Sequence, residues 1–165
     1  MDTPLPRGWI AGESVQQERV YSEPPPSADP SRTQFFAAQD SDPSYRLYSI
    51  PSQTPIPEVV KFFRVGSHGA MSYGYDPDET VSMVVDKVEK MARIAPCRVI
   101  FADSAGLKLK FLRQIEDEDL RRFSDLFPDE EGLQSGAEAY IIEQEPGRHL
   151  FQRVKEENLF HFWWD

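Results

Sequence analysis

The chain has 165 residues, with 28 acidic against 18 basic side chains and a formal net charge of -10. That balance excludes a nucleic-acid binder, which needs clustered Lys and Arg to neutralise phosphate. It favours basic partners and electrostatic steering instead. A single cysteine, Cys97, rules out an internal disulfide and a cysteine zinc cluster.

The opening MDTPLPRGW has neither the basic region nor the apolar run of a signal peptide. No stretch approaches the roughly 20 apolar residues that span a bilayer. The expectation is a soluble cytoplasmic or nuclear protein without a membrane span. Neither Gly-x-x-x-x-Gly-Lys nor Gly-x-Gly-x-x-Gly occurs, so no phosphate cradle and no cofactor is expected. His68, His149 and His161 stand far apart without metal-ligand spacing. Cys97 opens an apolar strand, where a cysteine is usually a small core residue. These points favour a non-enzymatic protein, with a small thiol-dependent enzyme the remotest alternative.

In chain order, residues 1–36 read as an arm, either WW-like or irregular, and residues 37–56 as a proline-rich linker interrupted by Tyr45–Ile50. Proline blocks helix interiors and sheet ladders, which predicts few long regular elements here. Glu23-Pro-Pro-Pro-Ser27 reads as a stiff spacer or, alternatively, a ligand for an aromatic groove. Regular periodicity starts at Glu58. Val59–Val65 is rich in β-branched and aromatic residues and reads as a strand ending at Gly66, with Ala70–Tyr75 as its hairpin return. Asp76-Pro77-Asp78-Glu79 is a helix start, and Val81, Val84, Val85, Val88 and Ala92 form one apolar stripe to about Arg93. Arg98–Ala102 is a short strand. Leu107, Leu109 and Phe111 alternate with Lys108 and Lys110 in the next one. Glu116–Phe127 reads as a short helix and Ala137–Ile142 as a last strand. The tail 145–165 carries Phe160, Phe162, Trp163 and Trp164 as candidate anchors, with a short amphipathic helix predicted over 149–160.

The order strand, strand, long helix, strand, strand, short helix, strand over residues 57–144 is that of an α+β ubiquitin-like β-grasp domain, a mixed sheet of four to five strands on one long helix. The segment Phe101-Ala102-Asp103, Gly106 and Ile115-Glu116-Asp117-Glu118-Asp119-Leu120 resembles the acidic motif of the Phox/Bem class of ubiquitin-like domains. Ser104, Ala105 and Leu107 stand where that family has further acids. The resemblance implies that Asp103, Glu116, Asp117, Glu118 and Asp119 dock a basic surface of another protein. It also implies that Lys61, on the first strand, is the family's partner lysine. The alternative is that the acids complement a helix dipole on a solvated face.

At the N-terminus, Leu5-Pro6-Arg7-Gly8-Trp9 resembles the opening of a WW domain. Glu18-Arg19-Val20-Tyr21 resembles its second strand, and Ser31–Phe35 the end of its third, with Phe35 in place of the second tryptophan. The resemblance implies a groove built on Trp9, Tyr21 and Phe35. The alternative is an arm that docks Trp9 on its own domain. The expected function is a protein–protein interaction adaptor with an acidic β-grasp domain. A structural subunit held in a larger complex by its aromatic tail and N-terminal arm is the alternative.

Overall fold

Ile56-Pro57-Glu58 opens a helix, not a strand. Proline suits a first helical turn, whose N–H groups have no intrahelical acceptor, and Glu58 complements the positive end of the helix. The structure, a computed structural model describing residues 4–68, 74, 76–126 and 156–163, therefore has α1 at Ile56–Phe63. Val59, Val60 and Phe63 point inward, and Lys61 lies on the exposed side. Arg64 ends the helix in the left-handed region at φ 53. The strand expected at Val59–Val65 is thus a helix. Continuous apolar runs do not distinguish the two by periodicity.

Helix α2, Pro77–Ile94, follows its expected course. The Asp78 N–H donates to Asp76 Oδ1 at 2.9 Å, and Val81, Val84, Val88 and Met91 form the buried stripe. Helix α3 spans Asp117–Leu126.

Among the described residues there are six strands, β1 (Ile10–Ser14), β2 (Arg32–Gln39), β3 (Asp42–Pro51), β4 (Cys97–Ala102), β5 (Gly106–Phe111) and β6 (Leu159–Trp163). They form one mixed sheet in the order β1-β3-β2-β4-β5-β6. β2 and β4 run parallel, with Phe36 opposite Phe101 and Ala37 opposite Ala102. The other neighbours are antiparallel. This is an α+β architecture. Its first three strands come from the stretch expected to be arm and linker. Pro43 and Pro51 sit at the ends of β3, where they disturb little of the ladder. Glu18–Tyr21, expected as a WW-like strand, lies in a short 3-10 turn, Gln17–Tyr21.

One face of the sheet carries the core. Phe35, Tyr48, Val99, Leu107, Leu109 and Phe160 pack there with Val59, Phe63, Val84, Met91 and Phe123 from the helices. Trp9 joins them, 6.4 Å from Phe35 and 5.1 Å from Phe62 between ring centroids. Of the helix expected over 149–160, residues 149–155 lie outside the described residues and Glu156 and Glu157 are helical; from Leu159 the chain is β6 instead, paired with β5 from Lys110↔Leu159 to Gly106↔Trp163. Asn158 fixes the entry to β6: its carbonyl accepts from the Phe111 N–H at 3.0 Å, and its side chain donates to the Phe111 carbonyl at 2.9 Å. The expected strand Ala137–Ile142, the residue Trp164, and all of Ala70–Tyr75 except Gly74 lie outside the described residues. No described helix is long and apolar enough to cross a membrane.

Candidate binding site

The opposite face of the sheet is covered in part by the 3-10 turn. Val20 is buried beneath it, the Arg19 guanidinium lies 5.9 Å from the Phe36 ring centroid, and Arg98 forms an ion pair with Glu23. Between this turn and the sheet lies a cup of about 140 Å³, floored by Val20 and lined by Tyr21, Tyr45, Phe101, Asp103, Lys108 and His161. Strand register builds its wall: Phe101 opposes Lys108, and Lys108 opposes His161. Alternation along β5 sends Leu107 and Leu109 to the core and leaves Lys108 on the cup side.

Lys108 Nζ lies 5.8 Å from the centroid of Tyr21 and 5.8 Å from that of Phe101. Ammonium over aromatic faces is attracted by the ring quadrupoles. Burial pushes the Lys108 pKa down, and the Glu157 carboxylate opposes that shift. Among the described residues no hydrogen bond or ion pair reaches this ammonium. Tyr45 stands 6.0 Å from Phe101, ring to ring. Burial raises the Tyr45 pKa, with Asp103 and Tyr21 adding to the effect.

Asp103 closes the cup at the β4–β5 turn. Its Oδ1 accepts from the Ala105 N–H at 2.8 Å, and its own N–H donates to the Gly106 carbonyl at 3.0 Å. This is the local turn chemistry expected of aspartate. Burial raises its pKa; the turn amides oppose that, Asp40 adds to it and His68 opposes it.

The acid run has a different fate. Asp119 is only 6% exposed. It accepts from Arg113 at 2.7 and 2.9 Å and from the Glu116 N–H at 2.9 Å. The Arg113 hydrogen bond leads in holding its carboxyl down at about 2. Asp119 therefore caps its own helix from within. Glu116, Asp117 and Glu118 are exposed, and Glu118 pairs with Arg122 at 3.2 Å. Asp103 precedes β5 and Glu116 follows it, so about 20 Å of strand separates them. Asp103 and Glu116 thus lie beyond opposite ends of β5, and Lys61 is exposed on α1.

The WW-like trio is also divided. Trp9 and Phe35 are buried in the core, whereas Tyr21 is 71% exposed at the cup. Of the tail residues, Phe160 is buried in the core, and Phe162 and Trp163 belong to β6. Cys97 is half-buried, and burial pushes its thiol up to about 12. The sequence motifs assign Tyr21 and Asp103 to separate sites, give no site role to Tyr45 or Lys108, and offer His161 only as an isolated histidine without a motif. The period-two pattern did put Lys108 on the wet face of its strand, but not beside rings from 60 to 90 residues earlier. No family model, curated protein or solved structure matches this chain.

Proposed function

We propose that this chain is a non-enzymatic protein-interaction module that takes one group of its partner into the cup. The observation that supports it is Lys108, a half-buried ammonium held on two aromatic faces with no hydrogen bond or ion pair among the described residues. Desolvating a charge without pairing it is costly, and a partner group that pairs it recovers that cost on binding. Aromatic walls with a few polar groups are common at recognition sites. The thiol-enzyme alternative loses support, because a thiol pushed up to about 12 holds almost no thiolate at neutral pH. Of the residues on which the subunit alternative draws, Trp9 and Phe160 pack into this chain's own core and so do not serve as anchors in a partner.

A second reading keeps the acids as the docking surface. The exposure of Glu116, Asp117 and Glu118 on a helix start stiffened by the Arg113–Asp119 pair favours it. Affinity capture with the full chain separates the two. With the cup as the site, captured partners disappear with Lys108→Met and persist when Glu116, Asp117 and Glu118 are all changed to Lys. Partners retained by Lys108→Met and lost on acid reversal would move the site to α3. Retention by both variants would remove both readings.

A further inference from the structure

The cup holds one ammonium, Lys108, that no described hydrogen bond or ion pair engages. Lys108 offers three N–H groups, and Tyr45 a hydroxyl that no described hydrogen bond engages. On the acceptor side, one oxygen of Asp103 is already occupied by the Ala105 N–H. A ligand that completes the cup therefore brings acceptors and negative charge.

Its size and valence follow from the same walls. A volume of about 140 Å³ is close to the roughly 150 Å³ cavity that holds benzene, so the group is about one ring, or one side chain, in bulk. Tyr21, Tyr45 and Phe101 present flat apolar surface to it. A doubly charged phosphate calls for an arginine fork or a set of convergent backbone amides. The cup supplies a single lysine, and Asp103 stands in the same wall.

We infer that the cup binds a monocarboxylate with a one-ring-sized body, its carboxylate on Lys108 and its body between Tyr21, Tyr45 and Phe101. This rests on the cup being the module's site. The shared chemistry has two sources, a free small carboxylate or the carboxylate of a partner chain.

The test is an amide-shift titration of the isotopically labelled full chain with sodium benzoate. Benzamide and benzylammonium serve as neutral and cationic probes of the same shape. Benzoate is expected to shift Tyr45, Phe101, Lys108 and His161 saturably, with benzamide and benzylammonium at least tenfold weaker. Lys108→Met should weaken benzoate at least tenfold, and Lys108→Arg should retain it within a few-fold. Thermal melts of both variants establish that they fold. Equal binding of benzamide overturns the inference by making the cup merely apolar, and preference for benzylammonium overturns it in favour of a cation cage. Benzoate binding unchanged in Lys108→Met also overturns it.

A short peptide ending in a free phenylalanine carboxylate, compared with its amide, assigns the source. Tighter binding than benzoate, lost on amidation, selects a partner chain; no gain over benzoate selects a small molecule. Absence of benzoate binding while capture stays Lys108-dependent overturns the carboxylate class alone. Absence of both overturns the cup as a site.

Discussion

Arg113 grips Asp119 through both terminal nitrogens of its guanidinium, at 2.7 and 2.9 Å, just before the first turn of α3. Asp119 thus titrates lower in the folded chain, at about 2, than in the unfolded one, at 3.8. A carboxyl depressed by folding stabilises the fold above its unfolded pKa, and that contribution fades as pH falls through the folded value. Arg113 is 43% exposed, so solvent screens the pair and its worth is about 1–2 kcal/mol. Asp119→Asn is expected to lower unfolding free energy by that amount at pH 7. The difference from wild type should shrink between pH 4 and pH 2, as followed by denaturant melts across that range.

Lys108→Met keeps the aliphatic stem against Phe101 and removes a charge that burial disfavours. Stability at pH 7 is therefore expected to hold or rise, by up to about 1 kcal/mol. The Lys108 pKa is lowered on folding, so the folded chain sheds this proton first and wild-type stability gains as pH climbs toward 10.5. The advantage of the variant should narrow over that alkaline window in paired denaturant melts. A variant less stable than wild type at pH 7 would contradict this.

Asn158 combines a left-handed backbone, φ 58, with two side-chain hydrogen bonds: one donated to the Phe111 carbonyl and one accepted from the Ile115 N–H at 3.2 Å. Asn158→Gly preserves the backbone but leaves both partners unmet, at about 1–3 kcal/mol. Asn158→Ala adds the left-handed penalty of about 1 kcal/mol. The expected order of melting temperatures is wild type, then Gly, then Ala. Hydrogen exchange should quicken first at Phe111, Ile115 and the β6 amides.

Phe35 has no exposed surface and meets the rings of Trp9, Tyr48 and Phe63. Phe35→Ala is expected to cost about 3–5 kcal/mol, measured by chemical denaturation. For the same reason a fragment of residues 57–165 is expected to show no cooperative melt by circular dichroism. It lacks β2, the parallel neighbour of β4, together with Trp9, Phe35 and Tyr48 of the core. A cooperative transition in that fragment would restore the independent domain expected from sequence.

Elements with local signals were legible in the chain. Helix α2 carries its own cap at Asp76 and a 3.6-period stripe, so its expected span of 76–93 agrees closely with Pro77–Ile94. β5 carries strict alternation and was placed within one residue. α1 went astray because Val-Val-Lys-Phe-Phe-Arg-Val suits either period, although Pro57 and Glu58 in its first turn are helix-start chemistry. β2 and β3 were hidden by the prolines around them, which fall at strand ends.

By itself, then, the sequence determined the local choices: where α2 starts, which face of β5 is wet, and that an acid run opens α3. Only the tertiary structure decided that the N-terminal third supplies half of the sheet, that Asp119 is consumed by Arg113, and that Lys108 meets Tyr21, Tyr45 and Phe101 in one cup. The physical reason is range. Caps and periodicity act over one or two turns of chain, whereas sheet order and the cup arise from burying surfaces of residues distant in sequence, which no short-range pattern encodes.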